Sequence, residues 1–499
     1  MKQGFRGARA LSLIAVAAAL QSPGLWLGPG FDASVYTLVG VQIRDGRMPY
    51  TSLFDNKPPG LYIVNALGQL GLPWLDPWLV SWFLTLAFTA GTIVVVDGLV
   101  RRQMSPIAAY LASLVCLVGI ASHPIGLGGG LTESFAILPL VLALWIVWSR
   151  PAGWRASSTV ACLASLSCLL SVQALPAAVV LTAAAVLAGG GPWETLRRGM
   201  AALLGGAIAP LVIAGWLTGR GAMGDAIDQV MTYNASYREA SPGLAHMLPV
   251  TFVLLACFLI PIAISLVRMA RRPEPGDRVF WLCLVWILAV SALLWYENRL
   301  FLHYLILLVP PMVLLSAPGF TWLGSGIRSS SGATRRTAMG LVAATSCVFA
   351  LSGMTAAGLL GITTGASATA ESITVATADW IRGHTPASAA VFNWGNDTYL
   401  YLAADRRPYD QHAYQFPMVT AGYWTPARTD QELSAWVSSP PAVIVESAAN
   451  VPMFRPPPDP QEPPHYDTLE PLREFVRTHY RLAVSFGDHD VYVLKPPGG

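Results

Sequence analysis

The sequence predicts a polytopic α-helical membrane protein of about eleven transmembrane helices with a small C-terminal extracytoplasmic α/β domain. Three observations predict it. The 499 residues are 54% hydrophobic and only 12% charged, with a mean hydropathy of +0.51, whereas soluble domains carry about 25% charge. Apolar runs of near-bilayer length recur from the N-terminus to about residue 361 and then stop. Arginine clusters fall between alternate runs, which is how a membrane chain records its orientation. The net charge of +3 averages over those clusters, so no basic face for nucleic acid is indicated.

The first span is the run from Ala10 to Leu27, preceded by Lys2, Arg6 and Arg9; it carries no small-x-small cleavage site and is read as a retained helix. Further runs lie near 75–99, 105–122, 134–148, 157–172, 174–189, 201–218, 247–267, 279–296, 304–323 and 338–361. Gln173 and Pro176 mark either a loop or a kink between the fifth and sixth. Arg101-Arg102, Arg150 with Arg155, Arg197-Arg198, Arg268 with Arg271-Arg272, and Arg328 with Arg335-Arg336 occupy alternate loops. The positive-inside rule makes those loops and the N-terminus cytoplasmic. Residues 28–74, 123–133, the turn at Gln173, 219–246, 297–303 and the chain after about Thr363 are then outside. Trp74, Trp78, Trp295 and Tyr296 near span ends read as an aromatic belt. All six cysteines lie in apolar stretches without C-x-x-C spacing, as small core residues do.

Two domains follow: residues 1–361, a transmembrane domain carrying the first outer loop (28–74), and residues 362–499. In the tail, Ala390–Trp394, Ala442–Glu446, Leu482–Phe486 and Asp490–Leu494 read as strands. Asp430–Val437 and Thr468–His479 read as helices, with a Pro-rich insertion over Pro452–Pro464.

The first outer loop concentrates the chemistry. Asp32 is an N-cap candidate for a short amphipathic surface helix with Val35, Leu38, Val39, Gln42 and Ile43 at helical spacing, and a second helix starts after Pro58-Pro59-Gly60. Acidic and basic residues held there would make a site within reach of a lipid headgroup. Between the helices runs Gly46-Arg-Met-Pro-Tyr50 and then Asp55-Asn56-Lys57-Pro-Pro-Gly-Leu-Tyr62.

An acidic residue after the first span, then G-x-x-P-Y and D-N-K-P-P-G-L-Y, resembles the dolichyl-phosphate-mannose-protein mannosyltransferase-like branch of the GT-C glycosyltransferases. Its bacterial members of the aminoarabinose transferase and lipid A galacturonosyltransferase types look most similar. Gly130-Leu-Thr132-Glu133 and Asn298-Arg299-Leu-Phe-Leu-His303-Tyr304 add to the resemblance, which covers residues 8–325 in layout. It implies a GT-C type fold and an inverting transfer of sugar from a polyprenyl-phosphate-linked donor to a hydroxyl on the outer membrane face. Envelope glycan, lipid and protein acceptors all stay open. The enzyme would sit in a bacterial cytoplasmic membrane with its C-terminal domain outside, and no cofactor is implied beyond that donor; the divalent metal requirement stays open.

The resemblance also implies roles. Asp32 matches the base that activates the acceptor, and Lys57 the phosphate-side lysine; Arg299, His303 and Tyr304 would complete the donor phosphate site. Many relatives have Glu where Asn56 stands, so the second catalytic carboxylate falls to Asp55 or Glu133. Only three of the 31 cationic Lys and Arg side chains are lysines, so Lys57 stands out from this chain's usage. Tyr233, Tyr237 and Arg238 are candidates for an acceptor cleft. Plainer readings stand beside each: a helix cap for Asp32, a first-turn carboxylate for Glu133, a snorkelling Lys57, and interfacial anchors in Arg299, His303 and Tyr304. His123 and His246 are lone loop histidines, and no metal ligands are expected. A lipid-linked sugar flippase or a non-catalytic envelope-assembly scaffold is the alternative; a transporter would call for ionisable groups in mid-span, where here only Asp97 lies near an inner end.

Overall fold

The computed structural model describes residues 2–239, 248–298, 301–329, 372–447, 453–454 and 466–496. These form two compact units. One draws on Met1–Trp26, Trp82–Ile213 and Pro242–Thr364, the other on Leu27–Ser81, Ala214–Ser241 and Gly365–Gly499.

In the first unit the apolar runs are helices, because a hydrocarbon setting demands that every backbone group bond within its own segment. Among the described residues five are long and apolar enough to cross a membrane: Gly7–Trp26, Pro77–Val100, Thr132–Ser149, Pro192–Gly219 and Arg278–Tyr296. Pro106–Ala121, Trp154–Leu170 and Val172–Val186 are apolar but shorter, and helices also cover Leu248–Arg271 and Val309–Ser329. The run at 338–361 lies outside the described residues. Gln173 falls in a 3-10 turn, Val172–Ala174, between Trp154–Leu170 and Leu175–Val186. Pro176 sits in the first turn of the second helix, where its missing N–H costs nothing. The junction is therefore a turn, not a kink.

Two features hold this unit's helices together. Gly319 lets the helix Val309–Ser329 approach Leu248–Arg271: its N–H donates to Ser265 Oγ at 2.7 Å, and a Cβ there would stand 2.6 Å from the Pro261 carbonyl oxygen. Asp97, in an otherwise apolar helix, is neutralised by Arg9 Nε at 3.0 Å and Arg101 Nε at 3.0 Å. Ser113 also donates to it, at 3.0 Å, so the buried charge is fully paired.

The second unit contains a five-stranded mixed sheet, β1 (Ala390–Gly395), β2 (Arg407–Pro408), β3 (Val443–Ser447), β4 (Tyr480–Phe486) and β5 (His489–Leu494), in the order β2-β1-β3-β5-β4. β1 runs parallel to β2 and β3, while β5 is antiparallel to β3 and β4. β3 is buried at every position, as expected of the central strand. β4 and β5 form a hairpin whose turn needs the positive φ of Gly487, +58°. The helix Pro426–Ser438 starts with Pro at its first position behind the N-cap Thr425. It packs with Glu470–His479 onto the sheet through Trp436, Phe392, Trp394, Ile444, Leu472 and Val476.

Strands stand where the sequence predicts them, apart from β2, which is two residues long and includes a proline. The helices at 372–384, Tyr399–Ala404 and Phe416–Val419 were not predicted. Of the Pro-rich insertion only Met453 and Phe454 are among the described residues.

Candidate functional site

The helix Phe31–Arg44 departs from expectation in two ways. Its N-cap is Gly30, so Asp32 lies inside the first turn and does not cap. Ala33 through Gly40 are all buried, so the helix is enclosed within its unit and is not an amphipathic surface helix. The reason is composition: Ala33, Ser34, Thr37 and Gly40 are small enough to be covered on every side. Gly40 touches the helix Gly60–Gly71, where an added Cβ would stand 2.6 Å from Asn65 Cβ. Trp78, expected in an aromatic belt, is buried, while Trp74, Trp295 and Tyr296 are exposed.

Asp32 is half-buried, and no described residue donates a hydrogen bond to its carboxylate. It occupies the end of the helix where a negative charge is favoured.

The connection from Met48 to Gly60 is polar and proline-rich, yet it has one conformation because residues far away in sequence hold it. Tyr50 adopts a left-handed backbone, φ +71°, costly for a non-glycine residue. Three bonds fix it there: its N–H to Leu53 O at 3.1 Å, its carbonyl from Gln229 Nε2 at 2.7 Å, and its hydroxyl to Lys57 O at 2.8 Å. Gln229, in a π-helical turn (Asp228–Thr232), also accepts from Asp55 N at 3.1 Å. Phe54 N–H donates to Gln411 O at 2.7 Å. Asn56 and Asn234 pair reciprocally, Asn56 Nδ2 to Asn234 Oδ1 and Asn234 Nδ2 to Asn56 O, both 2.8 Å. The Asn56 amide therefore serves as a clasp.

Asp55 is 4% exposed. Its Oδ2 accepts from the Tyr62 hydroxyl, its Oδ1 from Asn56 N at 2.8 Å and from the Tyr414 hydroxyl at 3.4 Å. Burial pushes its carboxyl up to about 6, against the opposing pull of the Tyr62 bond, the Lys57 charge and the Asn56 N–H; the charge of Asp32 pushes it further up. Lys57 is half-buried. The charges of Asp32 and Lys57 therefore both act on the Asp55 carboxyl, in opposite directions.

Tyr233 and Tyr237 share the helix Tyr233–Glu239 and stack at 5.5 Å. Tyr233 is buried against Phe54 and Tyr423, with centroids at 4.9 and 5.0 Å, so it is a packing residue first. Arg238 is in the same helix.

Glu133, His303 and Tyr304 belong to the first unit. Glu133 is completely buried; Oε1 accepts from Thr132 at 2.8 Å and Ser171 at 3.0 Å, and Oε2 has His303 Nε2 at 3.9 Å. Tyr304 is buried, its hydroxyl 3.5 Å from Gln173 Nε2. Arg299 and His246 lie outside the described residues.

A second cluster in the sheet-bearing unit was not anticipated. Asp410, His412 and Glu432 converge, with His412 Nδ1 3.5 Å from a carboxylate oxygen of each partner. Burial works to lower His412, but the two carboxylates outweigh it and hold the imidazole up at about 9. These residues line a cleft of about 500 Å³ together with Arg47, Asp225 and Arg428. The sequence signal was Asp410-Gln-His412, passed over because its third member is twenty residues away on another element.

No protein family model matches the chain, and no curated protein does. Solved structures do. ArnT from Cupriavidus metallidurans bound to undecaprenyl phosphate is similar over 97% of both chains, with a TM-score of 0.61 and 14% identity. The fold of this chain is therefore like that of this ArnT structure. ArnT from the same organism in the apo state gives 0.60 over 97% of both chains at 13% identity. The archaeal oligosaccharyltransferase AglB from Archaeoglobus fulgidus, in complex with an inhibitory peptide and a dolichol-phosphate, gives 0.50 over 88% of this chain and 69% of its own at 13% identity.

Proposed function

We propose that the protein is an inverting membrane glycosyltransferase that moves a sugar from a polyprenyl-phosphate-linked donor to an acceptor hydroxyl on the outer face of a bacterial cytoplasmic membrane. The observation that carries this is the end-to-end likeness to a structure holding undecaprenyl phosphate. Beside it stands a carboxylate, Asp32, that no described donor engages and whose charge, like that of Lys57, acts on Asp55.

In the proposed step the acceptor hydroxyl gives its proton to Asp32 as its oxygen bonds to the anomeric carbon. The bond from that carbon to the phosphate oxygen breaks, and its electron pair leaves on the polyprenyl phosphate, whose charge Lys57 stabilises. Asp55 has both oxygens occupied by donors from its own unit, which suits a positioning residue that fixes the Lys57 loop. The transporter alternative is weakened by Asp97, whose charge is spent on Arg9 and Arg101.

The test is incubation of membranes carrying the protein with a panel of radiolabelled polyprenyl-phosphate sugars. Label should pass to an acceptor with release of the polyprenyl phosphate. Movement of intact donor across the bilayer with no transfer from any donor would overturn the reading in favour of a flippase.

A further inference from the structure

We propose that Asp410, His412 and Glu432 form a zinc site with three protein ligands, His412 Nδ1, Asp410 Oδ2 and Glu432 Oε2. The three residues each offer one ligand atom, all within 4.8 Å of one another. His412 Nδ1 is 3.5 Å from each carboxylate oxygen. Ligands about 2.1 Å from a tetrahedral zinc stand about 3.4 Å apart, which the two imidazole–carboxylate distances match.

The hydrogen-bond accounting points the same way. His412 is 7% exposed, yet its Nδ1 makes no hydrogen bond, and neither does Asp410 Oδ2. A single Nδ1 proton can serve one acceptor at hydrogen-bond length, whereas here two carboxylates stand off equally, both too far. Leaving Nδ1 and Oδ2 unmatched is costly, and a divalent cation held between them and Glu432 Oε2 engages both.

The second oxygen of each carboxylate is already held, as outer-shell partners hold metal ligands. Asp410 Oδ1 accepts from His412 N at 2.7 Å. Glu432 Oε1 accepts from Trp436 Nε1 at 2.7 Å, and the Trp424 ring meets the imidazole edge-on at 5.1 Å. One imidazole and two carboxylates suit zinc, and three ligands leave a fourth position facing the cleft. Gln411, between two of the ligands, accepts from Phe54 N–H at 2.7 Å, so the ion would brace the segment that holds the 48–60 connection. The proposal does not rest on the proposed transfer reaction.

The experiment uses the full chain, purified in detergent with a tag free of histidine, and equilibrium dialysis against micromolar zinc with elemental analysis. The wild type should hold about one zinc per chain and show a zinc-dependent rise in melting temperature. His412→Ala and Glu432→Gln should each bind at least about 100-fold more weakly and lose the rise. Trp436→Phe, which frees Glu432 without touching a ligand, should weaken binding about tenfold. Glu432→Gln is nearly isosteric, so it decides the question if His412→Ala fails to fold. Zinc content equal in wild type and Glu432→Gln, or no zinc in either, would overturn the proposal and leave the cluster as an ion pair around a protonated imidazole.

Discussion

Replacing Asp55 by Asn should make the protein more stable at neutral pH and less stable in acid. A carboxyl that titrates near 6 folded and near 3.8 unfolded costs about 3 kcal/mol once ionised in both states, at about 1.4 kcal/mol per pH unit between the two values. Because the folded value is the higher, Asp55 exacts nothing below about pH 3.8, and stability falls as the pH rises to about 6. Asparagine removes that dependence. Its oxygen still accepts from Asn56 N, but its NH2 takes the place of the oxygen that accepts from Tyr62 and is a buried donor in a site built for an acceptor, which costs about 1–2 kcal/mol at every pH. The difference leaves Asp55→Asn about 1–2 kcal/mol ahead at pH 7.5 and about as far behind near pH 4. For a unit of this size that is a melting shift of about 2–6 °C in each direction. Tryptophan-fluorescence melts of both proteins in detergent, from pH 4 to 8, should cross between pH 4 and 6. A variant less stable than wild type by the same margin at every pH would refute the assignment of a raised carboxyl, and with it the account of Asp55 as a desolvated positioning residue.

Asp32→Asn should lower transfer at least about 100-fold while moving the melting temperature little, because Asp32 caps nothing and only a first-turn dipole term of about 0.3–1 kcal/mol is lost; near-normal turnover would remove it as the base. Lys57→Ala should raise the donor concentration needed for half-maximal rate, and Lys57→Arg should not restore it, since a planar fork does not replace a compact ammonium ahead of Pro58 and Pro59. Wild-type donor dependence in Lys57→Ala would end its phosphate role. Ser434→Cys, exposed on the tail, should react with an impermeant thiol reagent in intact cells; labelling only after lysis would reverse the proposed orientation.

The membrane class and the strands of the tail were legible because each rests on local chemistry: runs of apolar residues, and alternation bounded by glycine and proline. Asp32, Asp55 and Lys57 stand out in the sequence because they lie within one short stretch. What escaped depends on distant partners. Nothing near Asn56 announces that Asn234 completes it, and Gln229 and Gln411 look like ordinary polar residues until they meet the backbone of the 48–60 connection. The cap was misplaced because Asp is a strong capping residue, but the glycine two positions earlier carries the extended backbone that entry to the helix requires. Asp410, His412 and Glu432 remained invisible for the same reason as Gln411: a loop and a helix bring them together, not a motif.

The bond between Tyr414 and Asp55 joins residues 359 apart in sequence. At about 5–20 residues per second, a ribosome needs roughly 20–70 s to travel that distance. Throughout that interval the first loop exists without Gln411 and Tyr414, and for about half of it without Gln229 and Asn234. A nascent chain therefore cannot assemble the Asp55–Lys57 segment until nearly all of it has been made, and a truncated product ending before the sheet would have the spans but no ordered loop. Synthesis as far as Tyr414 is thus the step that supplies the last of these partners to the loop.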